Sequence, residues 1–296
     1  MMVPSVPAKA IAAMFGVAGL AEPMAAVVEA MAVFLFETLG PREVGRCLEF
    51  RQSPGAGTPF AGNTACFMPF NFSAQMLPIE ITGRKERGMK FGIFIYDGVE
   101  PIDLATFGVL SMARRIRPDI EICTLAPAAG AVTLSNGLVV MADHALEAAP
   151  RQDVIVVTGG PGWVSESQRP ETLAALRRRA SDTLLVSVCT GGMILGASGV
   201  LDGRRATTKV QVVPPEAPPI QRMRELHPLI DVREASLVDE DRVITGGGVS
   251  LCIDAMLHLL KRFYGADVAD ETARILEYQR AWSANLAQFP PLEAAR

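Results

Sequence analysis

The sequence predicts an α/β protein built on a doubly wound, mostly parallel sheet with helices on both faces. Three observations lead there. From Met89 onward, short apolar runs alternate with longer amphipathic segments, the order expected when each strand is followed by a crossover helix. One run, Val154–Val157, is apolar throughout, as a strand covered on both faces requires. Finally, 296 residues with 49% hydrophobic and 20% charged side chains suffice to close a buried core and are too apolar for a disordered chain.

In order, Lys90–Tyr96 reads as a buried first strand, and Pro101–Arg115 as a helix with proline at its start. Asp119–Leu125 is a second strand. Leu138–Met141 is extended after an Asn136-Gly137 turn. Val154–Val157 runs into Thr158-Gly159-Gly160. Pro170–Ala180 is helical, Thr183–Val188 is another central strand, and Gly191–Gly199 is helical. Arg242–Thr245 gives a late strand, Val249–Tyr264 an apolar-faced helix and Asp267–Tyr278 the last helix. A proline-containing tail, residues 281–296, ends the chain.

Composition divides the chain near residue 88. Residues 1–88 hold no Asp, against 13 in the remainder, yet take 8 of the 13 Phe. Glu22 and Glu29 interrupt their long apolar stretch, at about 2.5–3.5 kcal/mol for an acid at a bilayer centre, so no membrane span is expected. Ala10–Ala21 could pass for a signal peptide, and an amphipathic helical hairpin is a further reading. We favour a third: a gene start placed too early. Met89 directly precedes the first strand, and Lys85-Glu86 can be encoded by a purine-rich ribosome-binding sequence. The division is then an N-terminal extension (1–88), an α/β domain (89–280) and the tail (281–296).

A net charge of −4 without a long basic run argues against nucleic acid as a partner. Five scattered Cys make no disulfide framework, and three His without ligand spacing make no zinc site. The chemistry concentrates at Cys189-Thr190-Gly191-Gly192, where a buried strand ends and a glycine-rich helix begins. Such a sharp turn holds a nucleophile at the sheet's C-terminal edge, and helix amides there are expected to lower a thiol's pKa. Cys123, in a strand, and Cys252, on an apolar helix face, read as structural thiols, and His258 as a packed or surface residue. Neither Gly159-Gly160-Pro161-Gly162 nor Gly246–Gly248 completes a nucleotide-binding motif; both read as close-approach turns around the cysteine.

Val186-Ser-Val-Cys-Thr-Gly and the following Leu195–Thr208 resemble the ThiJ/PfpI superfamily, together with Gly98–Leu104, Gly159–Gly162, Ile244–Gly248 and Leu276–Tyr278. The resemblance spans residues 90 to about 280 and implies a flavodoxin-like, class I glutamine-amidotransferase-like fold. Cysteine followed by threonine resembles the isonitrile hydratase branch. By that likeness Cys189 is the nucleophile and Asp103 the facing acid/base carboxylate, with Glu100 as the competing carboxylate. Thr190 and Gly160 are the expected donors to a developing anion. Lys209 and Gly247 are the further substrate or oxyanion residues, Gly247 in the turn around the pocket and Lys209 as a cation in its wall where the family usually has His. The implied reaction hydrates an isocyanide to an N-substituted formamide with neither metal nor organic cofactor.

Two other classes stay open. One is a ligand-sensing domain like those of AraC-type regulators, here without a DNA-binding part, since residues 279–296 are too few for two helix-turn-helix units. The other is a glyoxalase, deglycase or related stress protein, a branch that favours Cys-His and a Glu partner. The expected partners are a small-molecule substrate and a second copy of the chain, in the cytoplasm.

Overall fold

The structure, a computed structural model, describes residues 88–294. The expectations for the extension therefore fall, apart from Gly88, outside the described residues. The principal sheet has eight strands: β1 (Lys90–Phe94), β2 (Glu121–Ala126), β5 (His144–Ala145), β6 (Val154–Val157), β7 (Leu184–Ser187), β10 (Leu237–Asp239), β11 (Val243–Gly246) and β12 (Leu292–Glu293). Their spatial order is β12-β10-β11-β7-β6-β1-β2-β5, and every pairing is parallel except β10 with β11. β1 lies between β2 and β6, with Ile93 opposite Thr124 on one side and Val156 on the other.

Helices cover the sheet in two groups. α1 (Ala105–Ala113), α6 (Leu251–Tyr264), α7 (Ala266–Ile275) and α8 (Gln279–Gln288) pack together. α2 (Trp163–Glu166), α3 (Pro170–Arg179), α4 (Gly191–Ser198) and α5 (Pro219–Leu226) form the other layer. The mostly parallel, doubly covered sheet read from the sequence is the one observed. Phe91, Ile93, Phe94, Val154–Val157, Leu185 and Val186 are all buried, which is why these runs carry no polar alternation. Among the described residues no helix is long and apolar enough to cross a membrane.

The structure also departs from the reading. The predicted first helix is two pieces, a 3₁₀ turn over Pro101–Leu104 and then α1. The extended Leu138–Met141 belongs to a hairpin outside the main sheet, β3 (Gly130–Thr133) against β4 (Val139–Ala142), with Asn136 and Gly137 both at positive φ. β8 (Arg205–Ala206) and β9 (Asp231–Val232) make a further short pair. Residues assigned to the tail form most of α8, docked by buried Trp282, and then β12, the edge strand beside β10. Two-residue strands have no period to read, and the interrupting prolines hid the rest.

Candidate active site

Three loops at the C-terminal ends of β1, β6 and β7 build the site, where a parallel sheet presents its ligands. The first leaves β1 through Tyr96 and turns at Gly98. Pro101 then starts the 3₁₀ turn that carries Asp103 inward to zero exposure. The second, Thr158–Gly162, is laced to the first: the Glu100 N–H donates to the Gly159 carbonyl (2.9 Å) and the Gly162 N–H to the Gly98 carbonyl (3.1 Å). The third is the turn from β7 into α4, holding Cys189.

Cys189 adopts φ 51°, a left-handed conformation that a side chain takes only when its surroundings enforce it. Here they do. The Cys189 N–H donates to the Gly247 carbonyl (3.1 Å), and the Cys189 carbonyl accepts the Thr208 hydroxyl (2.7 Å). Behind the turn, the Gly191 N–H closes onto Val188 (2.9 Å). A Cβ at Gly191 would lie 2.1 Å from the Val157 carbonyl oxygen, so only glycine lets α4 begin this close to β6.

Asp103 Oδ2 accepts the Gly159 N–H at 2.6 Å, while Oδ1 is buried without a partner. Burial raises its pKa from 3.8 to about 7 and the charge of Glu100 adds to this; the Gly159 hydrogen bond and the Lys209 charge oppose it. Burial also pushes the Cys189 thiol up, to about 12, with the Asp103 charge in support. The Thr190 backbone N–H, the Lys209 charge and the Thr190 hydroxyl only moderate that rise. The expectation that helix amides leave a low-pKa thiolate is therefore corrected. Desolvation outweighs the helix terminus, so Cys189 rests as a thiol beside a carboxyl that titrates near neutrality.

The predicted site residues sort accordingly. Cys189, Asp103, Thr190 and Lys209 share one electrostatic neighbourhood. Gly160 does not supply a free amide: its N–H donates to Thr190 Oγ1 (2.8 Å), and the Thr190 hydroxyl points back to the Gly160 carbonyl (3.3 Å). Gly247 likewise gives its N–H to the Ser236 carbonyl (2.8 Å) and serves only through its own carbonyl on Cys189. The Thr190 N–H, by contrast, faces the sulfur of Cys189. Glu100 lies close enough for its charge to raise the Asp103 pKa.

The sequence placed Gly159 in a close-approach turn around the cysteine, as observed, but did not show its hydrogen bond to Asp103 or the nearness of Tyr96 and Cys252. Gly159 carries the amide that holds Asp103, and its Cβ would lie 2.4 Å from the Thr190 nitrogen and 2.9 Å from Cys189 Cβ, so no other residue fits there. Buried Tyr96 donates its hydroxyl to the Thr158 carbonyl (3.1 Å), pinning the same turn from below. Cys252 is not remote: its sulfur lies 3.8 Å from the Ile102 carbonyl oxygen, within electrostatic reach of Asp103 and Cys189. The last residue of a strand and the first turn of a late helix were the available signals. His258 is elsewhere, its Nε2 2.9 Å from Asp239. Among the described residues no three His, Cys, Asp or Glu side chains converge as a metal site would need.

Comparison with known proteins finds similar ones by sequence and by fold. The isonitrile hydratase of Pseudomonas putida is 31% identical over 198 residues, which cover 65% of this chain and 80% of that enzyme. The HTH-type transcriptional regulator GbdR of Pseudomonas aeruginosa is 27% identical over 164 residues, 55% of this chain but only 42% of the regulator. A ThiJ/PfpI family protein from Pseudomonas syringae shares the fold with a TM-score of 0.57 at 22% identity, over 76% of this chain and 95% of its own. The pattern of the DJ-1/PfpI family itself matches residues 89–262, from the first residue before β1 into α6 and so across all three loops of the site. With more than half its length matched in this way, the chain belongs to the DJ-1/PfpI family.

Proposed function

We propose that the protein is a cysteine-dependent isonitrile hydratase, adding water to an isocyanide to give an N-substituted formamide. The observation that carries the reading is the pair formed by Cys189 and Asp103: a strained, clamped thiol facing a buried carboxyl whose Oδ1 has no partner and which titrates at about 7. An isocyano carbon must receive both a nucleophile and a proton, and this pair holds one of each. The Asp103 carboxylate takes the thiol proton as sulfur bonds to the isocyano carbon, then delivers that proton to the same carbon. The result is a thioimidate, R–N=CH–S–Cys189. Asp103 next orients a water onto the thioimidate carbon. The added hydroxyl oxygen becomes the formamide carbonyl, nitrogen gains one proton, and the sulfur leaves with the other, restoring the thiol. The Thr190 N–H lies beside the sulfur, where it can steady charge that builds during attack and departure. The likeness to an isonitrile hydratase over 80% of that enzyme supports the assignment.

The test is formamide release from a panel of isocyanides by wild type, Cys189→Ala and Asp103→Asn. Turnover by wild type alone supports the reading; turnover of dicarbonyls instead, or of nothing, sinks it. A second reading has its own support. The regulator likeness, together with a thiol held at about 12, suits a domain that binds a small molecule without turning it over. Saturable binding with no product in any variant would favour it.

A further inference from the structure

We propose that Lys209 receives a single anionic group, a carboxylate, on the small molecule whose electrophilic end meets Cys189. Resting on the isonitrile reading, this makes the substrate an isocyano acid and not an uncharged isocyanide. The backbone leading to Lys209 is fixed on every side. The Thr207 N–H donates to the Thr245 hydroxyl (2.9 Å) and the Thr208 hydroxyl to the Cys189 carbonyl (2.7 Å), while the Lys209 carbonyl accepts the Ile220 N–H (3.1 Å). Lys209 is thereby one residue from a side chain that touches the nucleophile's own backbone. Its charge is felt by both Asp103 and Cys189.

Among the described residues that charge has no ion-pair partner. Lys209 is half-buried, yet among the described residues no carboxylate lies within ion-pair distance of it, whereas Lys90, at the other end of the sheet, pairs with Glu121 at 3.0 Å. Asp103 makes a poor counterion, because its pKa near 7 and unpartnered oxygen fit it to hand over a proton, not to hold a permanent charge. An ammonium at this position without an ion-pair partner is free to take a ligand carboxylate in a charge-assisted hydrogen bond. The anion is expected to carry one charge only, because a single lysine supplies the cation felt by Asp103 and Cys189. Anion and electrophile then occupy opposite ends of one small molecule.

Alkylation of Cys189, mapped by mass spectrometry in the full chain, separates this inference from the isonitrile reading. Iodoacetate and iodoacetamide attack the same thiolate, so the ratio of their rates cancels any change in the thiol's own pKa and reports the charge near the approaching reagent. We expect Lys209→Gln to lower the iodoacetate-to-iodoacetamide ratio at Cys189 by about three- to tenfold, and Lys209→Arg to restore most of it. The ratio at Cys123 should not move. A ratio at Cys189 indifferent to Lys209→Gln would overturn the proposal, even if isocyanides were hydrated. In turnover, the kcat/KM for isocyanoacetate relative to its methyl ester should fall by a similar factor in Lys209→Gln. If wild type hydrates neither compound, the isonitrile reading fails while the alkylation ratio still decides the role of Lys209.

Discussion

A carboxyl buried without a second hydrogen bond is a liability unless it does chemistry, and Asp103 makes that trade measurable. Its pKa is 3.8 unfolded and about 7 folded, so the folded state is penalised above about pH 4, increasingly up to pH 7 and fully beyond it. Asp103→Asn should therefore unfold at higher denaturant than wild type at pH 8, by at most about 4 kcal/mol, with the advantage shrinking to nothing near pH 4. The same variant should lose about 10²–10⁴-fold in turnover. It should alkylate faster at Cys189, because the charge that pushes the thiol up has gone. Slower alkylation would mean that the carboxyl assists the thiol by some other route. Tyr96→Phe tests the support beneath: with the Thr158 carbonyl unmet, about 1 kcal/mol of stability should be lost. As Gly159 loosens from Asp103, the carboxyl's titration, read in the pH profile of Cys189 alkylation, should move upward. Cys189 stands out because it sits at a strand-to-helix boundary that local pattern marks, whereas Asp103 is singled out by the family resemblance. Gly159 and Tyr96 act through hydrogen bonds spanning 56 and 62 residues, which no local pattern records.

At the scale of elements, the long apolar strands and the helices after them could be read, since burial on both faces writes itself into composition. The C-terminal edge of the sheet could not, because side-chain bonds hold it in place of periodicity. On α6, Asp254 accepts the Tyr278 hydroxyl (2.8 Å) and the Asn285 amide (3.1 Å), which fastens α8 across it. Asp239, at the end of β10, faces His258 (2.9 Å) and Arg262 (2.7 Å) from the same helix and caps the turn through the Asp241 N–H (2.9 Å). Burial works against the Asp239 charge, yet these donors hold its pKa at about 2, below the unfolded 3.8. The stabilisation is thus complete above pH 4 and lost as pH falls through 2. Asp239→Asn should cost about 2 kcal/mol at neutral pH, read as a lower urea midpoint with an unchanged slope. The difference from wild type should close near pH 2. A variant as stable as wild type at pH 7 would show that the packing of α6, not this network, holds the edge.

At the scale of the molecule, the strands of the described residues begin at Lys90, and the Met89 N–H donates to the Tyr264 hydroxyl (3.0 Å) at the end of α6. A chain starting at Met89 should fold by itself, unfold in a single cooperative step and keep the Cys189 alkylation rate of the full chain; a molten or insoluble product would tie residues 1–88 to the fold. The hydrogen bond from Cys189 to the Gly247 carbonyl also has a temporal meaning. During synthesis the cysteine leaves the ribosome 58 residues before its backbone partner does. Until Gly247 emerges, the left-handed turn can have the Thr208 hydroxyl on its carbonyl but lacks the bond that fixes its N–H. The growing chain therefore carries an ordinary, flexible cysteine, open to any oxidant or stray electrophile. The turn is completed only once the residue after β11 has been made, so the thiol's chemical exposure is greatest before then.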